Sequence, residues 1–344
     1  MRICRKWTLL LALAAGVVQW LGGQGTFHYD DFHSIVHNPH LRSLENIPRF
    51  FSDPTLFSGD AKQAMYRPVV LTTYALNYAF DGFDPHVFRL FNIVIHAINC
   101  ALVLHLVHAL TRLPAIAWTA ALLFAFHPLS VESVQYISSR SESLMALGLL
   151  SALLCYERWQ REGTRRWYGL SLGAFALSVL SKSVGCVGLL LLPLCDWLQG
   201  RPIAQRGRLL AYAPFLVLVG MYVSVSHQVV GKAIGAPVRH YDVQLWTQLK
   251  AWVYYAWLGT MPAQLSVEHQ FFLSHSLGVP AVWLALLLIV SLLWVAAVAR
   301  QRLPLFALLW CALVLLPASV VPLIVLVNEH RLYLVLVGAG IGLG

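Results

Sequence analysis

Phe27-His28-Tyr29-Asp30-Asp31-Phe32-His33-Ser34-Ile35-Val36-His37-Asn38 follows closely on the apolar run from Trp7 to Leu21. Arg2, Arg5 and Lys6 precede that run, a basic flank that holds the N-terminus in the cytoplasm. Val18-Gln19-Trp20 lacks the small residues of a cleavage site, so the run reads as an uncleaved anchor rather than a removed signal peptide. The stretch 27–38 then emerges on the outer face of a membrane. It carries the adjacent carboxylates Asp30 and Asp31, with His28, His33 and His37 beside them. Ionisable groups at a bilayer boundary are costly and mark either pairing or function.

Working outward, the composition agrees with a bilayer. Of 344 residues, 58% are hydrophobic and 11% charged, against about 25% charged in a soluble domain. The mean hydropathy is +0.67. The expected class is an all-α polytopic membrane protein forming a single domain over 1–344. The net charge of +9 lies in short loops between apolar runs, which orients a membrane protein and points to no nucleic acid. Six cysteines have no C-x-x-C spacing and fall mostly in apolar runs, as small buried hydrophobes do.

The first span, 7–21, leads into an outer loop over 24–86, in which Tyr66 to Phe80 is amphipathic enough to lie along the membrane surface. Further spans are read at 86–110, 115–126, 143–156, 167–180, 184–198, 209–225, 279–298 and 303–327, and a last apolar run begins at Leu332. Arg112, the arginines of 157–166, Arg201, Arg206, Arg208, Arg300 and Arg302 fall inside. Parity then forbids Trp246 to Met261 from being a simple crossing, so it is expected as an interfacial or re-entrant element on the outer side. Runs shorter than the roughly 20 residues of a full span point to partly buried helices. Of 15 Asp and Glu, only Glu157, Glu162 and Asp196 lie inside in this topology.

The unusual polar residues near helix ends then share the outer side. Asp30 and Asp31 follow the first span. His127, Glu132, Arg140 and Glu142 follow the third. Lys182 stands between Ser181 and Ser183, Glu268 and His269 follow the interfacial stretch, and Glu329, His330 and Arg331 precede the last run. A carboxylate near an incoming hydroxyl serves as general base, and Arg or Lys neutralises a phosphate leaving group. A lipid phosphate, with its tail in the bilayer and its head at the boundary, suits that arrangement. Simpler readings stand beside it. The Asp pair caps a helix or is solvated; Glu132 and Arg140 form an ion pair; Lys182 snorkels to headgroups; Glu329–Arg331 anchors the interface. His96, His105 and His108 read as packed or interfacial. His28, His33 and His37 have no secure metal-ligand spacing, so no cofactor or metal is expected.

Several motifs fall in a familiar order: Tyr66-Arg67-Pro68, Asn77-Tyr78, Pro85-His86, and Asn92 with His96. His127-Pro128 follows, with Glu132, Arg140 and Glu142, then Leu180-Ser181-Lys182, then Glu329-His330-Arg331-Leu332-Tyr333. The ordered set resembles GT-C proteins of the transmembrane O-mannosyltransferase (TMTC-like) family, the last motif in the form of bacterial members. The resemblance implies a GT-C helix bundle and inverting transfer of mannose or a similar hexose. The donor is a polyprenyl-phosphate sugar, and the acceptor is a hydroxyl on a protein, glycan or lipid. It implies Asp30 or Asp31 as base, of which position favours Asp30, and Arg140, Lys182, His330 and Arg331 at the donor phosphate. Tyr66, Arg67, His127, Glu132, Glu142, Glu268 and Glu329 are then supporting or acceptor-side residues. The site would face the periplasm from a bacterial inner membrane, or the lumen from an endoplasmic reticulum membrane.

Two departures are visible. Ser183 stands where the family often has Glu after Leu-Ser-Lys, and no 34-residue helical repeat follows before the chain stops in an apolar run at Gly344. A fragment would explain that ending, and acceptor recognition is then expected to be missing. The rival class is a non-catalytic or transport-type membrane protein that handles lipid-linked sugars, as a flippase does. Such a protein would favour an inverted repeat, and none is evident.

Overall fold

The computed structural model describes residues 3–23, 25–60, 63–235, 238–298 and 301–344, the side chains of 228–235 excepted. Arg2 and Arg300, used above to orient two runs, lie outside the described residues. Among the described residues the apolar runs form helices and no strand occurs.

Helix α1 (Arg5–Gly22) opens the chain. The loop after it is a string of short turns, including the π-helical turn Phe32–Val36 and α2 (Ile47–Phe50), and it closes on α3 (Pro68–Asp81). The interfacial helix thus begins at Pro68, and Tyr66 and Arg67 precede it. Its Val70, Leu71, Tyr74 and Ala75 are buried, while Leu76 and Phe80 are exposed. There follow α4 (Pro85–Thr111), α5 (Pro114–Phe126), α6 (Val131–Gln135), α7 (Arg140–Glu162), α8 (Arg165–Ser181) and α9 (Gly188–Leu198). The last are α10 (Arg206–Gly235), α11 (Tyr241–Thr260), α12 (Pro280–Val298), α13 (Arg302–Val320) and α14 (Val335–Leu343). Proline begins α3, α4 and α5, where its missing N–H costs nothing. Asp84 caps α4 by accepting from the His86 N–H at 2.8 Å.

Which faces are buried follows from which are apolar. Helix α1 buries only Leu11, Ala15 and Gln19, one stripe at four-residue spacing, and exposes Trp7, Leu10, Leu13, Val17 and Leu21. A helix that shows apolar side chains outward faces lipid. By length and composition, Pro85–Thr111, Arg206–His227, Pro280–Val298 and Arg302–Val320 are each able to cross a membrane. Pro114–Phe126 and Pro128–Gln135 would make a fifth span if taken together, but they bend by 59° between them. The chain is a multi-pass integral membrane protein, and 128–135 turns out of line with α5 at that bend.

Helix α7 runs through the centre, with its Met145, Leu149, Leu150 and Leu153 buried. Its Gly148 allows α8 to approach closely: a Cβ there would stand 2.5 Å from the Ser178 nitrogen. Helix α14 inserts between α5 and α13 by the same device, with Gly340 against Ala120 and Gly338 against Trp310. One end of α7 is locked by a buried charge network. Arg201 donates to both Glu157 oxygens at 2.8 Å and to Asp196 at 2.8 Å. Asp196 also accepts from Arg208 at 3.0 Å, from Tyr156 at 2.8 Å and from Tyr212. At about 1.5 Å per residue this network is on the order of 25 Å along α7 from Arg140.

Helix α11 is continuous and has no re-entrant break. Gln244 donates to the Ala318 carbonyl at 3.0 Å and Gln248 to the Leu326 carbonyl at 3.0 Å. At the other end the Gly259 carbonyl accepts from His127 at 3.0 Å. Both ends therefore meet the same end of the bundle, that of Arg140 and His330. The helix lies across that end, which keeps the interfacial half of the expectation and removes the re-entrant half.

Candidate active site

Asp30 and Asp31 occupy the first turn after α1 in different circumstances. Asp31 is 1% exposed. Its Oδ2 accepts from the His28 N–H at 3.0 Å, and its Oδ1 accepts from the Ser138 N–H at 2.8 Å and from the Ser138 hydroxyl. Burial raises its pKa above the ordinary carboxylate value, and those hydrogen bonds pull against the rise. Asp30 has a side chain 65% exposed, with His33 Nε2 at 3.5 Å. Its N–H donates to the Tyr136 hydroxyl at 2.9 Å, and its carbonyl accepts from Ser34 at 2.6 Å. Tyr29, just before it, has φ of 44°, a left-handed conformation that costs a bulky residue on the order of 1–3 kcal/mol. The anchors from Tyr136 and Ser138 hold that turn in place.

Glu132 and Glu329 each turn to a histidine. Glu132 accepts from the His330 N–H at 2.9 Å and lies 3.0 Å from His330 Nδ1. Burial, then the nearby Glu329 carboxylate, pushes Glu132 up to about 8. Glu329 accepts from the Ser266 N–H at 2.6 Å and pairs with His269 at 2.9 Å, and His269 reaches Tyr254 at 2.9 Å. Lys182 pairs with Glu142, both largely buried, and burial lowers its pKa despite that partner. Arg67 donates to Ser141 at 3.1 Å and lies over the Phe57 ring; burial lowers its pKa too, with Glu142 and Asp30 acting against the drop. Arg331 donates to the Leu326 and Val325 carbonyls at 2.9 and 2.7 Å. Burial holds His330 well below the ordinary histidine value, and Lys182, Arg331 and Arg67 add to that. Among the described residues neither Arg67 nor Arg331 pairs with a carboxylate. Three cations thus act on one histidine, with a single carboxylate, Glu142, paired among them.

Four expected site residues do not join. Arg140 is 0% exposed. It donates to Asn92 at 2.7 Å, Asn77 at 2.5 Å, Thr73 at 3.2 Å and the Phe88 carbonyl at 2.8 Å, and it lies over the rings of Tyr74, Phe88 and Phe91. It has no face left for a phosphate and is not paired with Glu132, so both readings of it are corrected. Glu268 is exposed, and its neighbour His269 takes the inward position. Tyr66 donates to the Phe51 carbonyl at 2.8 Å and packs on Tyr222, a buttress beneath Arg67. His127 accepts from the Leu129 N–H at 3.2 Å while donating to Gly259, so it shapes the bend before α6 and ties it to α11. The motif residues of α4 are also scaffold: Asn92 donates to the Val134 carbonyl at 3.2 Å, and His96 and Asn99 meet the Tyr333 hydroxyl at 2.8 and 3.2 Å. Sequence reasoning missed Tyr136 and Ser138 as anchors, although both fall inside the His127–Glu142 motif. A cavity of about 170 Å³ beside α1, lined by Gln19, His127 and Gln135, lies next to the charged residues and contains none of them. Among the described residues no three His, Cys, Asp or Glu converge as a metal site.

A helix bundle with carboxylates and cations gathered at one end is a GT-C-like membrane fold. The fold is similar to ArnT from Cupriavidus metallidurans, solved bound to undecaprenyl phosphate, with TM-score 0.54 and 16% identity over 98% of this chain and 59% of that one. It is also similar to the archaeal oligosaccharyltransferase AglB from Archaeoglobus fulgidus, solved with an inhibitory peptide and a dolichol-phosphate, with TM-score 0.52 and 14% identity over 98% and 49%. The chain belongs to the dolichyl-phosphate-mannose-protein mannosyltransferase (PMT) family, whose model matches residues 53–228. Among curated relatives it is 34% identical over 168 residues to Protein O-mannosyl-transferase tmtc2 of Xenopus laevis, covering 47% of this chain. It is 26% identical over 274 residues to a Protein O-mannosyl-transferase of Caenorhabditis elegans, covering 76% of this chain. The matches span 20% and 39% of those relatives' own lengths.

Proposed function

We propose that this chain is the catalytic membrane portion of a metal-independent, inverting glycosyltransferase. It moves mannose or a similar hexose from a polyprenyl phosphate to an acceptor hydroxyl on the outer side of the membrane, a protein hydroxyl first among the candidates. Asp30 accepts the hydroxyl proton as the oxygen attacks the anomeric carbon. The bond from that carbon to the phosphate oxygen breaks, its electron pair stays on the phosphate, and configuration inverts. Arg67, Lys182 and Arg331 hold the phosphate, and preorganised cations there stabilise the charge that develops as the bond breaks. Asp31 holds the turn that presents Asp30. The observation that carries the reading is the gathering of Arg67, through Ser141, and Lys182, through Glu142, at the head of α7, beside the turn in which Glu132 holds His330 next to Arg331.

The test is transfer of labelled sugar from a polyprenyl-phosphate donor in membranes containing the full chain. Arg331→Gln is expected to raise KM for the donor about tenfold or more, since a charge-assisted hydrogen bond is worth about 1.5–3 kcal/mol. An unchanged donor KM in Arg67→Gln, Lys182→Gln and Arg331→Gln alike would reject the phosphate site.

A further inference from the structure

Glu132 and His330 are joined more closely than two phosphate-side residues need to be. Both Glu132 oxygens are spent on one residue, one accepting from the His330 N–H and the other meeting Nδ1. The contact fixes the ring and leaves Nε2 without a hydrogen-bond partner among the described residues. The charged groups acting on the pair come from every side. Lys182 stands at the end of α8, Glu142 is on α7, Glu329 and Arg331 flank His330 in its own turn, and Arg67 precedes α3.

We propose that Glu132 and His330 form a two-residue proton relay that delivers a proton to the departing phosphate. The inference rests on the transferase reading above and deepens it. A protonated Glu132 donates to Nδ1, which leaves the ring's own hydrogen on Nε2. As the sugar–phosphate bond breaks and its electron pair passes to the phosphate, Nε2 gives its proton to a phosphate oxygen. The Glu132 proton then moves to Nδ1. The products are a singly protonated phosphate, a neutral imidazole with hydrogen on Nδ1, and a Glu132 carboxylate. Once the lipid phosphate has left, water gives a proton to Nε2 and the Nδ1 proton returns to Glu132, while Asp30 returns the acceptor's proton to water. The electrostatics agree: Glu132 stays protonated up to about 8, and burial, with the nearby cations adding to it, keeps the free His330 ring neutral. A relay of this kind releases its proton only when negative charge builds in front of it.

Two measurements on the full chain test this. The first is an infrared difference titration of the purified protein without donor. The carbonyl band of a protonated carboxyl should be lost as pH rises through about 8 and be missing in Glu132→Gln; no such band sinks the relay whatever the turnover. The second is the pH profile of transfer. A Gln amide at 132 still donates to Nδ1 and holds the ring but has no proton to release. Glu132→Gln should therefore keep donor KM within about twofold, lower kcat by about 100-fold, and lose the alkaline limb of kcat. His330→Gln, which keeps a donor near the Nε2 position, should show the same split. Full kcat with the alkaline limb intact in either variant overturns the relay. Asp30→Asn separates the two levels: undiminished transfer there would overturn the transferase assignment, while the Glu132 band is independent of it.

Discussion

Asp31 gives its oxygens to His28 and Ser138, so its substitution is expected to act through the fold of the first loop. Ser138→Ala, which removes one hydrogen bond to a buried carboxylate, should cost about 1–3 kcal/mol, read as a lower Tm of the purified protein with donor KM unchanged. Arg140 makes the same argument more strongly. Arg140→Ala would leave acceptors on Asn92, Asn77 and Thr73 without their donor, and each buried polar group so stranded costs about 1–3 kcal/mol. The measurement is folded yield and Tm; a well-folded Arg140→Ala with weakened donor binding would return Arg140 to the phosphate. Glu132 adds a pH signature. Its folded pKa lies near 8 against an ordinary 4.5, so between those values the folded protein holds a proton that the unfolded chain releases. Stability should fall as pH rises across that window, and Glu132→Gln should remove that part of the slope.

At the scale of helices, packing contacts and the buried network set the geometry that the site needs. Gly148→Val would drive a side chain into the α8 backbone near Ser178, and overpacking of this kind costs about 1–3 kcal/mol. Because α8 ends at Lys182, transfer should fall along with Tm. The orientation of α11 is testable directly. With the native cysteines replaced, single cysteines at His240 and Gln264 should be labelled from the same side of intact membranes. Labelling from opposite sides would make α11 a crossing.

Across the whole molecule, the class of fold was legible because apolar runs and their basic flanks are properties of local sequence. The gathering of the motif residues at one end of the bundle was legible too, since they lie near helix ends. What local sequence withheld was the direction each side chain takes. Nothing about Arg140 distinguishes it from Arg331 until α4 supplies Asn92 and Phe88 as partners. Glu268 and His269 are adjacent, and only the pairing with Glu329 decides which faces inward. Position alone favoured Asp30 over Asp31, and the physical ground for it, Asp31's bonding to Ser138, lies more than a hundred positions along the chain.

Asp30 as the base is the claim on which the rest depends. The most direct measurement is single-turnover transfer from a pre-bound labelled polyprenyl-phosphate sugar, comparing wild type, Asp30→Asn and Asp31→Asn on folded protein. Asp30→Asn should bind the donor as wild type does and lose transfer by at least about 100-fold. Asp31→Asn should retain measurable transfer with a lowered Tm. Transfer that survives in Asp30→Asn and vanishes in a well-folded Asp31→Asn would contradict the account.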